Sequence, residues 1–155
     1  TPFEFVPQAT AEQIAERQKH LIASIPKPHR KRVKVSWNDQ KISLLEAVLA
    51  RGDRRLCRVI LQAWQNGSRF DSWSDRFCWE HWEKAFALCG VDPAFYANRE
   101  RSYTEILPWE HLDYMVNKSF LIREYERAKQ AKTTPNCRQS CAGCGVNHAV
   151  GRNCF

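Results

Sequence analysis

Four of the chain's seven cysteines, Cys137, Cys141, Cys144 and Cys154, fall within its last nineteen residues. The first three form a C-x3-C-x2-C array, Cys137-Arg-Gln-Ser-Cys141-Ala-Gly-Cys144. Spacing this tight lets several thiolates converge on one centre, and Gly143 and Gly145 permit the backbone turns that aim sulfur and amide groups inward. Arg138 and Arg152 lie beside the array, and no Asp or Glu occurs from Lys132 to Phe155. That cationic setting favours thiolate over thiol and offsets the negative charge of a thiolate-ligated centre. Cys137, Cys141 and Cys144 are therefore the expected ligands, with Cys154 as the fourth or His148 in its place. Two chemistries suit the set: a 4Fe-4S iron–sulfur cluster, or tetrahedral zinc acting as a staple for a tail without a core.

The other reactive residue types carry weaker signals. Cys57, Cys78 and Cys89 stand among apolar helix residues, where a lone cysteine packs as a small hydrophobe. His111 and Asp113, two residues apart after Leu107-Pro108-Trp109, have the types of an acid–base pair, but no nucleophile or metal motif accompanies them, so capping and loop hydrogen bonds are their expected role. The basic run Lys27 to Lys34, with Arg54, Arg55 and Arg58 as an extension, is either a solvated face or a surface for RNA. Trp64 and Trp82 lie on apolar helical stripes and are expected in the core, whereas Trp37, Trp73 and Trp109 lie near turns.

The elements that must position these groups are mostly helical. The chain has 155 residues, 24 Lys plus Arg against 17 Asp plus Glu, a formal charge of +7, and 43% hydrophobic residues. This is enough for one core-bearing domain with a tail and too little for a complete (β/α)₈ barrel. No apolar run approaches the length of a membrane span, and an odd number of clustered cysteines speaks for a reducing compartment, with the cytoplasm as the expected location. Thr10 is placed to cap a helix carrying Ile14, Leu21 and Ile22, which Pro26 and Pro28 end. Val33 to Trp37 alternates as one short strand. Asn38 or Asp39 caps a helix that runs to Arg51, and a second helix from Arg54 to Asn66 is expected to fold back on it as a hairpin. Further helices follow around Cys78–Cys89, after Asp92-Pro93, and over Asn117–Ala131. The expected fold is mainly α, a helical domain at 10–131 with one short strand, followed by a cysteine-rich tail at 132–155.

Several segments in order and spacing resemble one family. They are Ser43-Leu44-Leu45-Glu46-Ala47-Val48-Leu49-Ala50-Arg51-Gly52-Asp53-Arg54-Arg55, Arg69-Phe70-Asp71-Ser72-Trp73, Leu107-Pro108-Trp109-Glu110-His111-Leu112-Asp113, and Lys118-Ser119-Phe120-Leu121 through Glu124-Tyr125-Glu126-Arg127-Ala128 into Thr134-Pro135-Asn136-Cys137-Arg138. Together they resemble the C-terminal region of bacterial cobalamin-binding-domain radical S-adenosylmethionine (SAM) proteins, Fe–S oxidoreductase-like proteins often paired with a radical-SAM-linked partner domain. The resemblance implies that residues 1–9 are the end of an upstream barrel, and that the barrel, a cobalamin-type domain, SAM and the catalytic cluster belong to the parent polypeptide outside this chain. It also implies an accessory role for this segment, which by itself is not expected to be active. C-x3-C-x2-C is the spacing with which that superfamily holds its SAM-binding cluster, but Gly143 stands where an aromatic residue usually precedes the third cysteine. An auxiliary cluster or zinc is the expectation instead. The family's tail carries Asp before the first cysteine and a further cysteine soon after the third; this chain has Asn136 and Asn147-His148 there.

Overall fold

The computed structural model describes residues 2–151, so Thr1, Arg152 and Cys154 lie outside the described residues. Among the described residues the chain forms seven α-helices and one 3-10 turn: α1 (Ala11–Ser24), the turn (Lys27–His29), α2 (Gln40–Arg51), α3 (Leu56–Gln65), α4 (Trp79–Cys89), α5 (Pro93–Ala97), α6 (Lys118–Lys129) and α7 (Val146–Ala149). The mainly helical expectation holds. No described helix is long and apolar enough to cross a membrane.

The described chain gathers into two compact units. Pro7–Arg99 is one, and the residues before Pro7 and after Arg99 form the other. In the Pro7–Arg99 unit three helices, α1, α2 and α5, begin at a capping side chain. Thr10 and Gln13 form a reciprocal capping box on α1, Asp39 accepts from the amides of Lys41 and Ile42 at the start of α2, and Asp92 accepts from Ala94 ahead of Pro93 in α5. These contacts satisfy amides that a helix start leaves without partners. Gly90 closes α4 at φ 62°, a left-handed conformation that glycine adopts without a Cβ penalty. One core joins the helices, built on Leu45 and Val48 of α2, Leu56, Val59 and Ala63 of α3, Trp82, Ala85 and Phe86 of α4, and Tyr96 and Ala97 of α5.

Four expectations are corrected here. The segment Val33–Trp37 is irregular, its Val33 amide bonding back to the His29 carbonyl, and no strand occurs among the described residues. Alternation alone does not make a strand, because its amides and carbonyls need a neighbouring ladder. The helices α2 and α3 do not pair as a hairpin; α3 packs principally against α4, and α2 against α5. Trp64 is 54% exposed, its ring covered by the Arg69 guanidinium 4.5 Å away. Cys57 is exposed, and Cys78 and Cys89 are only partly buried, since the buried stripe of α3 runs through Leu56, Val59 and Ala63 instead. Trp82 is buried as expected, its Nε1 donating to Asp71. The helix α1 buries no residue, leaving Leu21 and Ile22 about half exposed.

In the other unit Phe5 is fully buried against Leu107 and Tyr125. Tyr103 meets the Phe5 ring edge-on with centroids 4.9 Å apart. The Arg101 amide donates to the Phe5 carbonyl at 3.0 Å, and the Trp109 Nε1 donates to Glu4 at 3.2 Å. The N-terminal segment is thereby threaded into a core made otherwise from residues beyond position 100.

The turn between α2 and α3 supplies two tests. A Cβ on Gly52 would lie 1.9 Å from Leu56 Cδ1 and 2.8 Å from the Val48 carbonyl oxygen, whereas one on Gly90 would meet nothing within 4 Å. Gly52→Ala is expected to destabilise by about 2–3 kcal/mol through overpacking, and Gly90→Ala by about 1–2 kcal/mol through its backbone alone. Urea denaturation that ranks the two the other way would refute the close approach at Gly52. Next to it, the Arg55 guanidinium lies 2.6 Å from the Asp53 carboxylate and, with other hydrogen bonds, holds that carboxyl down to about 2 from its ordinary 3.8. A depressed pKa contributes stability above the unfolded value and loses it as pH falls through the folded value. The stability gap between wild type and Asp53→Asn should therefore be constant above about pH 5 and shrink between about pH 4 and 2.

Candidate metal centre

The cysteine tail is strapped to α6 by polar contacts from one end of that helix to the other. At the C-terminal end, Arg127 Nη2 donates to the Thr133 carbonyl at 2.6 Å, and the Thr134 hydroxyl donates to Glu124. In mid-helix Arg123 Nη2 donates to the Ala142 carbonyl. At the N-terminal end the Asn117 amide donates to the Cys144 carbonyl at 2.8 Å. The tail thus leaves α6 and runs back along it, a span of about 18 Å for twelve residues. The sequence reading did not find that Arg123 and Arg127 carry the tail's backbone, although two arginines one turn apart beside an acid-free tail are the residue types that such a role uses.

Within the strap the backbone makes a series of tight turns. Asn136 begins it, its side chain accepting from the Arg138 amide at 2.9 Å and its carbonyl from the Gln139 amide at 2.9 Å. This places Cys137 inside an Asx turn, a local alternative to helix that Asn favours. Gly143 takes φ 68° and Gly145 φ 104°. The Gly143 amide donates to Cys141 Sγ at 3.4 Å, the kind of N–H···S contact that tunes thiolate-ligated centres. After Gly145 the chain forms one further turn of helix, α7, in what the sequence presents only as a cysteine-rich tail. His148 lies on it, exposed.

Cys137 and Cys141 are exposed, Cys144 is partly buried, and all three are free thiols. Among the described residues no group of three His, Cys, Asp or Glu side chains is drawn together as a metal-holding set. Cys154 lies outside the described residues. In donor chemistry and local backbone the array nevertheless fits a thiolate-bound centre: three thiols on one short loop, an amide already directed at a sulfur, two glycines at positive φ, and a neighbouring Arg138 without any tail carboxylate. The residues that would hold the group are Cys137, Cys141 and Cys144.

The remaining sequence candidates are not part of the array. Asp113 accepts from the Met115 amide at 2.7 Å in a turn of its own, and His111 is exposed. That is the loop-bonding role expected for Asp113. The basic stretch from Lys27 to Lys34 is exposed throughout, in and after the 3-10 turn.

Gly145 marks where the strap docks, since a Cβ there would lie 2.6 Å from the Asn117 side-chain amide and the residue's φ is positive. Gly145→Ala should weaken docking by about 1–2 kcal/mol. The measurement is amide hydrogen exchange: Asn117, whose N–H is the donor, should exchange faster while α3 and α4 amides keep their wild-type protection, and unchanged protection of Asn117 would show that Gly145 is not the docking point. No family model matches the chain, and no curated protein or solved structure is significantly similar to it.

Proposed function

We propose that this segment is the accessory C-terminal part of a radical SAM iron–sulfur enzyme and that its tail carries an auxiliary cluster on Cys137, Cys141 and Cys144. The observation that carries the metal reading is the N–H···S contact from Gly143 to Cys141 inside a loop whose backbone is fixed to α6. A buried core does not order this loop, so its tight turns and left-handed glycines are most simply understood as a cradle for sulfur donors. The radical SAM context is supported by the resemblance of the ordered segments from Ser43 to Arg138. The catalytic cluster, SAM and any cobalamin belong to the parent polypeptide in this reading.

The chain's own residues have defined parts. Asn117 and Arg123 hold the Cys141–Cys144 loop by its carbonyls, so each thiol starts from a fixed backbone. Arg138, in an acid-free stretch, offsets the charge that several thiolates accumulate. His148 on α7, or Cys154, completes the donor set. When bound, a cluster at this place supplies an iron site capable of electron transfer or of ligating a substrate atom.

The test is metal and acid-labile sulfide analysis, with a visible spectrum, of anaerobically purified chain beside a Cys137/Cys141/Cys144→Ala variant. Iron and sulfide in comparable amounts with broad visible absorption, all lost in the variant, are the expected result. Zinc lost in the variant without iron would overturn the cluster and leave a structural staple. Cys141→Ala alone is expected to lose the metal and retain the helical circular dichroism of the wild type, because neither core includes a residue of the array.

A further inference from the structure

The Pro7–Arg99 unit carries a second feature, distinct from the tail. At the start of α3 a cavity of about 450 Å³ is lined by Arg54, Arg55 and Arg58 together with Val91, which follows α4, and Phe95 and Tyr96 of α5. The sequence explains the combination. Gly52 and Asp53 turn the chain so that Arg54 and Arg55 precede the first turn of α3, to which Arg58 belongs, and the left-handed Gly90 with Asp92-Pro93 turns α5 back to present Phe95.

The three arginines are not equivalent. Arg55 is committed: its Nε and Nη2 bond Asp53, and its guanidinium lies 5.3 Å from the Phe95 ring centre and 5.5 Å from that of Tyr96. The Tyr96 hydroxyl in turn donates to Asp53 at 3.2 Å. Asp53 therefore balances Arg55, and the two define one wall. Arg54 and Arg58 are exposed and have no carboxylate partner among the described residues. They leave two uncompensated guanidinium groups one helical turn apart at the mouth of the cavity. The positive end of the α3 dipole lies at the same place, where the one carboxylate, Asp53, is already taken up by the Arg55 amide and guanidinium. Phe95 also lines the cavity and is 42% exposed despite its size, with the Arg99 guanidinium 4.4 Å from its ring centre.

We propose that this cavity binds a phosphate ester attached to a flat heteroaromatic ring, a nucleotide either free or within a single strand. Arg54 and Arg58 take the phosphate oxygens in the forked geometry that guanidinium groups offer. The ring lies against Val91, Phe95 and the Arg55 guanidinium, a surface that favours stacking over hydrocarbon packing. A bare anion would use only the first half of the site, and an apolar ligand only the second.

The experiment is equilibrium dialysis of the full chain with AMP, adenosine, inorganic phosphate and hexa-adenylate as probes. AMP should bind at least tenfold more tightly than either adenosine or inorganic phosphate. Arg54→Gln/Arg58→Gln should weaken AMP at least tenfold without shifting the thermal midpoint, since both side chains are exposed. Phe95→Leu should weaken AMP and leave phosphate binding unchanged. Hexa-adenylate that displaces AMP at tenfold lower concentration identifies a strand as the source of the ester, and failure to displace it identifies a free nucleotide; both uphold the site. Equal binding of AMP and phosphate would overturn it, as would wild-type AMP affinity in the double arginine variant. None of these outcomes depends on the metal content of the tail, so this site and the cluster stand or fall separately.

Discussion

The helix α6 divides its surface between two tasks, and the unit built around it rests on that division. Leu121 and Tyr125 are buried on one side, where Tyr125 joins Phe5 and Leu107. Asn117, Arg123, Glu124 and Arg127 face the tail and hold it by polar contacts. A long guanidinium is suited to this, because it can reach across to a carbonyl while its stem stays on the helix. Arg123 adds a second use, lying 5.1 Å from the Phe120 ring. The tail is therefore ordered by a row of polar contacts, with one buried face of the same helix keeping that row in place.

Position and polarity of the helices were legible because the sequence states them locally. Thr10 is read directly as a cap, Asp39 is one of two candidates with Asn38, and the Asp92-Pro93 step marks a start. Pairing was not legible. The short connection from Arg51 to Arg55 suggested that α2 and α3 pack on each other, but α3 turns its Leu56–Val59–Ala63 stripe chiefly toward α4. Which face a helix buries depends on neighbours distant in sequence, and the same fact put Trp64 outside. The Val33–Trp37 alternation failed for a related reason, since a strand's partner is never written in the strand itself.

In the candidate site, donor types and spacing were legible and the means of holding them were not. Cys137, Cys141 and Cys144 announce themselves by spacing, and Gly143 and Gly145 do take the positive φ values that the turns require. The anchors from α6 act through the main-chain carbonyls of Thr133, Ala142 and Cys144, whose side chains carry no sign of it. A sequence reading that weighs side chains alone finds the ligands of such a loop and misses its frame.

The energetic position of the tail follows from that frame. Exposed polar contacts such as those from Arg123 to Ala142 and from Arg127 to Thr133 contribute modestly, because water competes for each donor and acceptor, and the charge pairs of Glu124 with Arg123 and Arg127, at 3.8 and 4.0 Å, are too long to be hydrogen bonds. No described residue of the tail from Cys137 onward is a buried large hydrophobe. A loop in that state has a defined backbone path and little resistance to opening. Coordination changes the balance, since a centre that binds only the closed loop contributes its binding free energy directly to closure. The strap from α6 then lowers the ordering cost that coordination must overcome, by fixing both sides of the array before any ligand bond forms. Held in this way, the loop couples the state of the thiols to the docking of the tail, and the coupling passes through Asn117 and Arg123.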